Sequence, residues 1–204
     1  MTTILSLSTT PPRINQFIYS LDWFNKQLPD FIVKVIINIC AKYRRFPVNC
    51  RVSEYSKGIL LKYKDKFTLN FCYDYGPITK YIGAIEWMKY RELKYDLMII
   101  DDDINYTHKF ISKICSGSKR DYICSGSGFN IEYGQYTITA YQPDYVEGYA
   151  GIYFKYDLID NIVDKICQYY KCINDSNDLI NMVFRTLFMA DDFLISYIYY
   201  LVNL

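Results

Sequence analysis

Between residues 3 and 100 the chain switches repeatedly between two hydrophobic periods, and this alternation constrains the fold more than any other feature. "TILSLST" (3–9) is an apolar run of β-formers that stops at the double proline of "TTPPR", which cannot continue a ladder. "INQFIYSLDWFNKQ" (14–27) carries Ile14, Phe17, Ile18, Leu21 and Phe24 at helical spacing, and "PD" ends it. "FIVKVIINIC" (31–40) predicts a second strand, "KGILLKYKDK" (57–66) a short helix and "FTLNFCY" (67–73) a third strand. "YGPITK" reads as a loop, "ITKYIGAIEWMKYREL" (78–93) as a helix and "YDLMII" (95–100) as a fourth strand. Strand, helix, strand, helix predicts an α/β fold on a mainly parallel sheet flanked by helices. Near-continuous apolar strands such as "LMII" fit a sheet covered on both faces. Right-handed crossovers then set the strand carboxyl ends along one edge.

The second half reads differently. "THKFISKICSG" (107–117) is a helix closing on glycine, and "DYICSGSGFNIEYGQYTITAYQ" (121–142) mixes strand-like runs with glycine turns, as a small antiparallel excursion does. "EGYAGIYFK" (147–155) is a loop feeding a strand, and helices are expected over 156–170, 177–188 and 191–202. No repeat, low-complexity segment or linker divides the 204 residues, so a single domain is expected over 1–204. With 51% hydrophobic residues a sizeable core is available and disorder is not expected.

The net charge of +1 gives no general attraction to nucleic acid or acidic membranes, so nucleic acid is not an expected partner. The apolar tail "FLISYIYYLVNL" falls short of the about 20 residues a transmembrane helix needs, and it reads as a buried helix. The start "MTTILSLSTT" has neither a basic region nor a signal-peptide core, and the seven cysteines include no CxxC pair. They are read as reduced thiols in a cytoplasmic protein. A zinc site is not expected, because His108 is the only histidine and no cysteines cluster round it.

"LMIIDDDINY" (97–106) poses the functional question: an apolar strand runs directly into Asp101, Asp102 and Asp103. In an open α/β sheet, ligands sit outside the carboxyl ends of the strands. Carboxylates this close repel one another, and a divalent cation removes the conflict with positive charge and hard oxygen coordination. The bland alternative is a solvated turn in which Asp103 or Asn105 caps the next helix.

Four other segments bear on the choice. In "LSTTPPR" (7–13), Ser8, Thr9 and Thr10 offer hydroxyls for a nucleobase or ribose, and Arg13 follows; the alternative is a capped helix start with an exposed arginine. In "YGPITKYIGA" (75–84), Gly76-Pro77 makes a turn, and Lys80 near a helix start opposes the helix dipole. That placement suits a phosphate partner, or else a solvated lysine. Gly148 and Gly151 bracket Tyr149 in a loop that either approaches a sugar or simply turns. Asp191 and Asp192 precede an apolar helical run, as helix-start residues or as a general base with its orienting partner.

"SLSTTPPRI", "GPITK", "MIIDDDINY", "EGYAGIYFK" and "ADDFLISYIY" follow the order seen in small GT-A-fold glycosyltransferases, and together they span nearly the whole chain. The chain resembles the glycosyltransferase domain found in proteins of large DNA viruses such as the chlorella viruses, with related bacterial sugar transferases. The isoleucine-, asparagine- and tyrosine-heavy composition suits an AT-rich viral genome, which would place the protein in a host cytoplasm. The resemblance implies a GT-A (Rossmann-like) fold, with a donor half over 1–105 and an acceptor half over 106–204. It implies a metal-dependent, inverting hexosyltransferase that moves a sugar from a nucleoside diphosphate sugar, with UDP-sugars favoured, to a glycan hydroxyl. Residues 101–103 would be the DxD element: Asp103 with Asp101 at Mn2+ or Mg2+, Asp101 also on the ribose or donor sugar, and Asp102 beside them. Thr9 and Arg13 would line the nucleoside pocket, Lys80 would meet the diphosphate or donor sugar, and Gly148 would help form the donor–acceptor floor. Asp191 and Asp192 resemble the "ED" element, whose second member is the base; aspartate stands here in the first position. A late histidine ligand, common among GT-A enzymes, has no counterpart after His108. Competing expectations are a metal-dependent phosphoryl-transfer or nuclease domain built on clustered carboxylates, and a non-catalytic nucleotide-sugar-binding module.

Overall fold

In the computed structural model, residues 2–10, 12–40, 53–117, 124–130, 135–138, 145–146 and 150–159 are described. The alternating run becomes β1 (Thr3–Ser8), α1 (Ile14–Tyr19), α2 (Leu21–Gln27), β2 (Ile32–Cys40), α3 (Glu54–Lys62), β3 (Phe67–Cys72), α4 (Thr79–Tyr90) and β4 (Asp96–Ile99). A 3₁₀ turn over Gly76–Ile78 leads into α4, with Gly76 at φ 70°, where a side chain would be strained. Then come α5 (His108–Gly117), β5 (Cys124–Ser125), β6 (Ser127–Asn130), β7 (Gln135–Ile138), β8 (Tyr145–Val146) and β9 (Ile152–Phe154).

Six strands form one sheet in the order β3-β2-β1-β4-β9-β5. The four strands from the first half pair in parallel, as the alternation predicts, while β9 runs antiparallel to both β4 and β5. The glycine-rich stretch supplies a separate antiparallel sheet in the order β7-β6-β8. The expected mixed α/β fold with a small antiparallel excursion is thus what the chain forms.

Period-2 alternation sorts the strand side chains into two cores. Leu5, Leu7, Val35, Ile37, Ile39, Met98 and Ile100 face α1, α2, α3 and α5. Ile4, Ile36, Leu97, Ile99, Ile152 and Phe154 face α4. Each fully buried side chain of this size contributes roughly 1.5–3 kcal/mol, and the two-sided burial explains why these strands read as continuous apolar runs.

Three expected boundaries move, each for a local reason. The helix expected over 14–27 breaks at Ser20, whose N–H and Oγ both donate to the Phe17 carbonyl, at 3.0 and 2.8 Å. A serine bonded to its own turn competes with the helix ladder. The helix expected over 57–66 begins instead at Glu54, because Ser53 caps it by accepting the Ser56 N–H at 3.1 Å. "YGPITK" is a 3₁₀ turn rather than an open loop, held by the Asp74 carboxylate accepting the Gly76 N–H at 2.9 Å. The helices expected beyond residue 159 lie outside the described residues.

A polar ladder crosses the α4 face of the sheet. Asn38, fully buried in β2, donates through Nδ2 to Ser6 Oγ at 2.8 Å and to the Leu7 carbonyl at 2.9 Å. Asn70, its register partner in β3, donates through Nδ2 to Asn38 Oδ1 and to the Gly83 carbonyl, both at 2.9 Å. Ser6 Oγ donates to the Lys80 carbonyl. Gly83 makes this close approach possible: a Cβ there would lie 2.5 Å from Asn38 Oδ1 and 3.2 Å from Cys72 Sγ. The ladder therefore fixes the first turns of α4, and with them Lys80, against the strand ends.

Candidate nucleotide and carboxylate site

The chain runs from β1 out to β2 and β3 on one side, then returns to lay β4 on the other side of β1. The order of strands reverses between β1 and β4, and open α/β sheets form their ligand crevice at such a reversal, beyond the carboxyl ends. The loop after β1 carries Thr9 and Arg13, and the loop after β4 carries Asp101–Asp103. The start of α4 brings in Lys80. The structure thus gathers Thr9, Arg13, Lys80, Asp101, Asp102 and Asp103 at one place. Gly148, Asp191 and Asp192 lie outside the described residues.

Each aspartate has a partner. Lys80 Nζ meets Asp101 Oδ1 at 2.6 Å, with the lysine side chain only 4% exposed. Lys80 is therefore not the solvated lysine of the alternative reading. Arg13 holds the other two, through Nη2 to Asp102 Oδ1 at 2.9 Å and through Nη1 to Asp103 Oδ2 at 2.6 Å. Arg13 stands at the N-cap position of α1, and its fork onto two carboxylates makes it more than the exposed arginine of a helix start. Nor does Asp103 or Asn105 cap α5; Thr107 does, its Oγ1 accepting the Phe110 N–H at 3.3 Å. Two internal cations thus offset much of the repulsion that the triplet raised.

The three carboxylates sit in different surroundings. Asp103 is exposed, Asp101 is about one-third exposed at 31%, and the Asp102 side chain is buried at 2%. Burial pushes the Asp102 carboxyl above the ordinary value of 3.8, and the neighbouring Asp103 charge adds to the rise. The nearby Thr9 hydroxyl and the Arg13 guanidinium oppose it. Asp102 Oδ2 is nevertheless buried without a well-formed hydrogen bond. Tyr106 closes the floor: its buried Oη accepts the Asp101 N–H at 3.1 Å, and burial raises its phenol.

Tyr106 and the Asn38 ladder are site residues that sequence reading missed. Asn38 left a signal, as the one amide within the apolar run "VIINIC". Tyr106 left only its closeness to the aspartates.

Among the described residues, no three His, Cys, Asp or Glu side chains converge as a ready metal cage. The donors fit a hard cation such as Mg2+ or Mn2+, which binds through one or two carboxylates and takes its remaining ligands from water and phosphate. Asp103 and Asp101 are the accessible donors of that kind. Among the described residues no helix is long and apolar enough to cross a membrane.

No family model matches the chain, and no curated protein matches it. Two solved structures of 4-diphosphocytidyl-2C-methyl-D-erythritol synthase align with it. One is 7% identical over 80% of this chain and 78% of that one, with a TM-score of 0.48. The other, from Anaerococcus prevotii DSM 20548, is 13% identical over 82% of this chain and 77% of that one, with a TM-score of 0.49. At such identities and scores these similarities assign neither a family nor a chemistry to this chain.

Proposed function

We propose that the chain binds a nucleoside diphosphate sugar, with a UDP-sugar favoured, at the carboxyl edge between β1 and β4. We propose further that it transfers the sugar to a glycan hydroxyl with inversion. The observation that carries this reading is the convergence of Thr9, Arg13 and Asp101–Asp103 from both sides of the strand-order reversal, at the position where such sheets bind nucleotides. The five ordered segments that resemble GT-A glycosyltransferases make sugar transfer the preferred chemistry.

In this reading Thr9 and the loop after β1 take the nucleoside, and the exposed Arg13 guanidinium meets phosphate. Lys80 is buried, so it acts through Asp101: it holds that carboxylate in place for the ribose or the donor sugar and lends positive field to the crevice. A Mn2+ or Mg2+ ion on Asp103 and Asp101 would stabilise the charge that builds on the departing diphosphate. Asp192, assigned from the "ADDFLISYIY" segment, would take the acceptor proton while Asp191 orients it, and Gly148 would help shape the donor–acceptor floor.

Calorimetry with UDP, TDP and GDP, each with Mn2+ and with chelator, tests the binding half. Nucleotide and metal are expected to strengthen each other's binding reciprocally; failure of all three nucleotides to bind would end the reading. A panel of UDP-sugars tests the chemistry. Asp192→Asn is expected to lower transfer by roughly 10²-fold or more while donor binding survives. Retained anomeric configuration in the product would rule out the base assignment, and cleavage of DNA or RNA without sugar transfer would favour a nuclease.

A further inference from the structure

The Arg13 guanidinium does more than approach the carboxylates: it takes up one of the two Asp103 oxygens that an incoming cation could use and sets a positive charge beside the other. Asp103, the most exposed of the three, gives Oδ2 to Nη1 at 2.6 Å. The other arm of the fork is anchored on the buried Asp102. The two contacts differ in strength. The Asp103 contact lies in water, where ion pairs contribute about 0–1 kcal/mol and exchange easily. The Asp102 contact is shielded, and losing it would leave a buried carboxylate unpaired. The fork can therefore release Asp103 while keeping its hold on Asp102. Charge points the same way. Lys80 leaves the triplet with a net charge of −2, which suits a divalent cation, and Arg13 reduces it to −1.

We infer that Arg13 is a built-in counter-cation that gates the metal site, keeping Asp103 from a divalent cation until a phosphate-bearing ligand takes over the Nη1 arm. A guanidinium has five donors in a fixed fork, so one arm can pass from carboxylate to phosphate without the side chain leaving Asp102. Asp103 is then free, and the same phosphate supplies further oxygen ligands. Metal and nucleotide enter together because each removes an obstacle to the other. The inference rests on the nucleotide reading above and specifies how that site is loaded.

The test follows Mn2+ binding, by the electron paramagnetic resonance signal of the free ion and by calorimetry, in wild type, Arg13→Gln and Arg13→Gln/Asp103→Asn, each with and without UDP. Without nucleotide, Arg13→Gln is expected to bind Mn2+ more tightly than wild type, by up to about fivefold, the scale of the one exposed ion pair removed. The double variant should lose that gain. UDP should strengthen Mn2+ binding in wild type and do so less in Arg13→Gln. Equal Mn2+ affinity in wild type and Arg13→Gln without nucleotide would overturn the gate, as would a gain that persists in the double variant. The nucleotide-free arm decides the gate by itself, whereas UDP binding to none of the proteins would overturn the nucleotide reading. Circular dichroism checks the fold; should Arg13→Gln misfold, Arg13→Lys, which keeps the charge but cannot fork both carboxylates, should shift Mn2+ affinity the same way by less.

Discussion

Lys80 shows how far one side chain's surroundings can depart from its residue type. A lysine at the second position of a helix opposes the dipole, and this one is also buried, so Asp101 is what makes it tolerable. Lys80→Met is expected to destabilise the fold by about 1–3 kcal/mol, below the usual 3–5 for a broken buried pair because Asp101 reaches water. Adding Asp101→Asn should restore part of the loss, since it removes the stranded charge; urea unfolding of the four proteins in the cycle reads the coupling, and strict additivity would mean that the pair is unimportant. A second expectation concerns two core thiols. Burial pushes Cys124 up to about 11 and Cys115 up to about 12, from 9.0. Below about pH 8 both thiols are almost fully protonated in the folded and the unfolded chain. As pH rises through 9 the unfolded chain releases protons that the native chain retains, so stability falls toward pH 11–12, by up to about 1.4 kcal/mol per pH unit for each thiol. Unfolding at pH 8, 9 and 10 should show a shallower decline for Cys124→Ala than for wild type; identical slopes would contradict the assignment.

At the scale of elements, two helical glycines make opposite predictions for the same substitution. Gly58 in α3 has open space where a Cβ would go, so Gly58→Ala should stabilise by up to about 1 kcal/mol through helix propensity alone. Gly83 in α4 has Asn38 and Cys72 in that space, so Gly83→Ala should destabilise by about 1–3 kcal/mol as the helix is pushed off the polar ladder. Denaturant midpoints of the two variants moving in the same direction would refute the packing described. These elements also show what the sequence could disclose. The strands were legible because two-sided burial makes them continuous apolar runs, and α4 because its run from Thr79 to Tyr90 is too long for a strand and holds no proline. The break at Ser20 was not, because a single hydroxyl turned onto Phe17 leaves the apolar spacing unchanged. The aspartates and Lys80 were legible as candidates because strand ends and helix starts can be located. The Arg13 fork was not, because nothing in local periodicity encodes a pairing with residues after β4.

For the whole molecule, the placement of β1 at the centre of the sheet sets a schedule. Thr3 pairs with Ile32 on one side and with Asp96 on the other, so the second neighbour is synthesised long after the first. At typical ribosomal speeds of 5–20 residues per second, the edge of β1 that β4 will cover waits roughly 5–20 s for its partner. Its two faces carry Leu5, Leu7 and Ile4, all fully buried in the finished fold. An unpaired apolar edge of this kind is a template for wrong partners. A chain ending at residue 92 keeps β1, β2 and β3 but lacks β4, and it should collect in the pellet on expression where the full chain does not. A soluble fragment with a cooperative unfolding transition would show that the half-sheet protects itself. The nascent protein thus has an interval of vulnerability fixed by strand order, and a cell making it in quantity would need either slow initiation or a chaperone that shields the first strand until the fourth emerges.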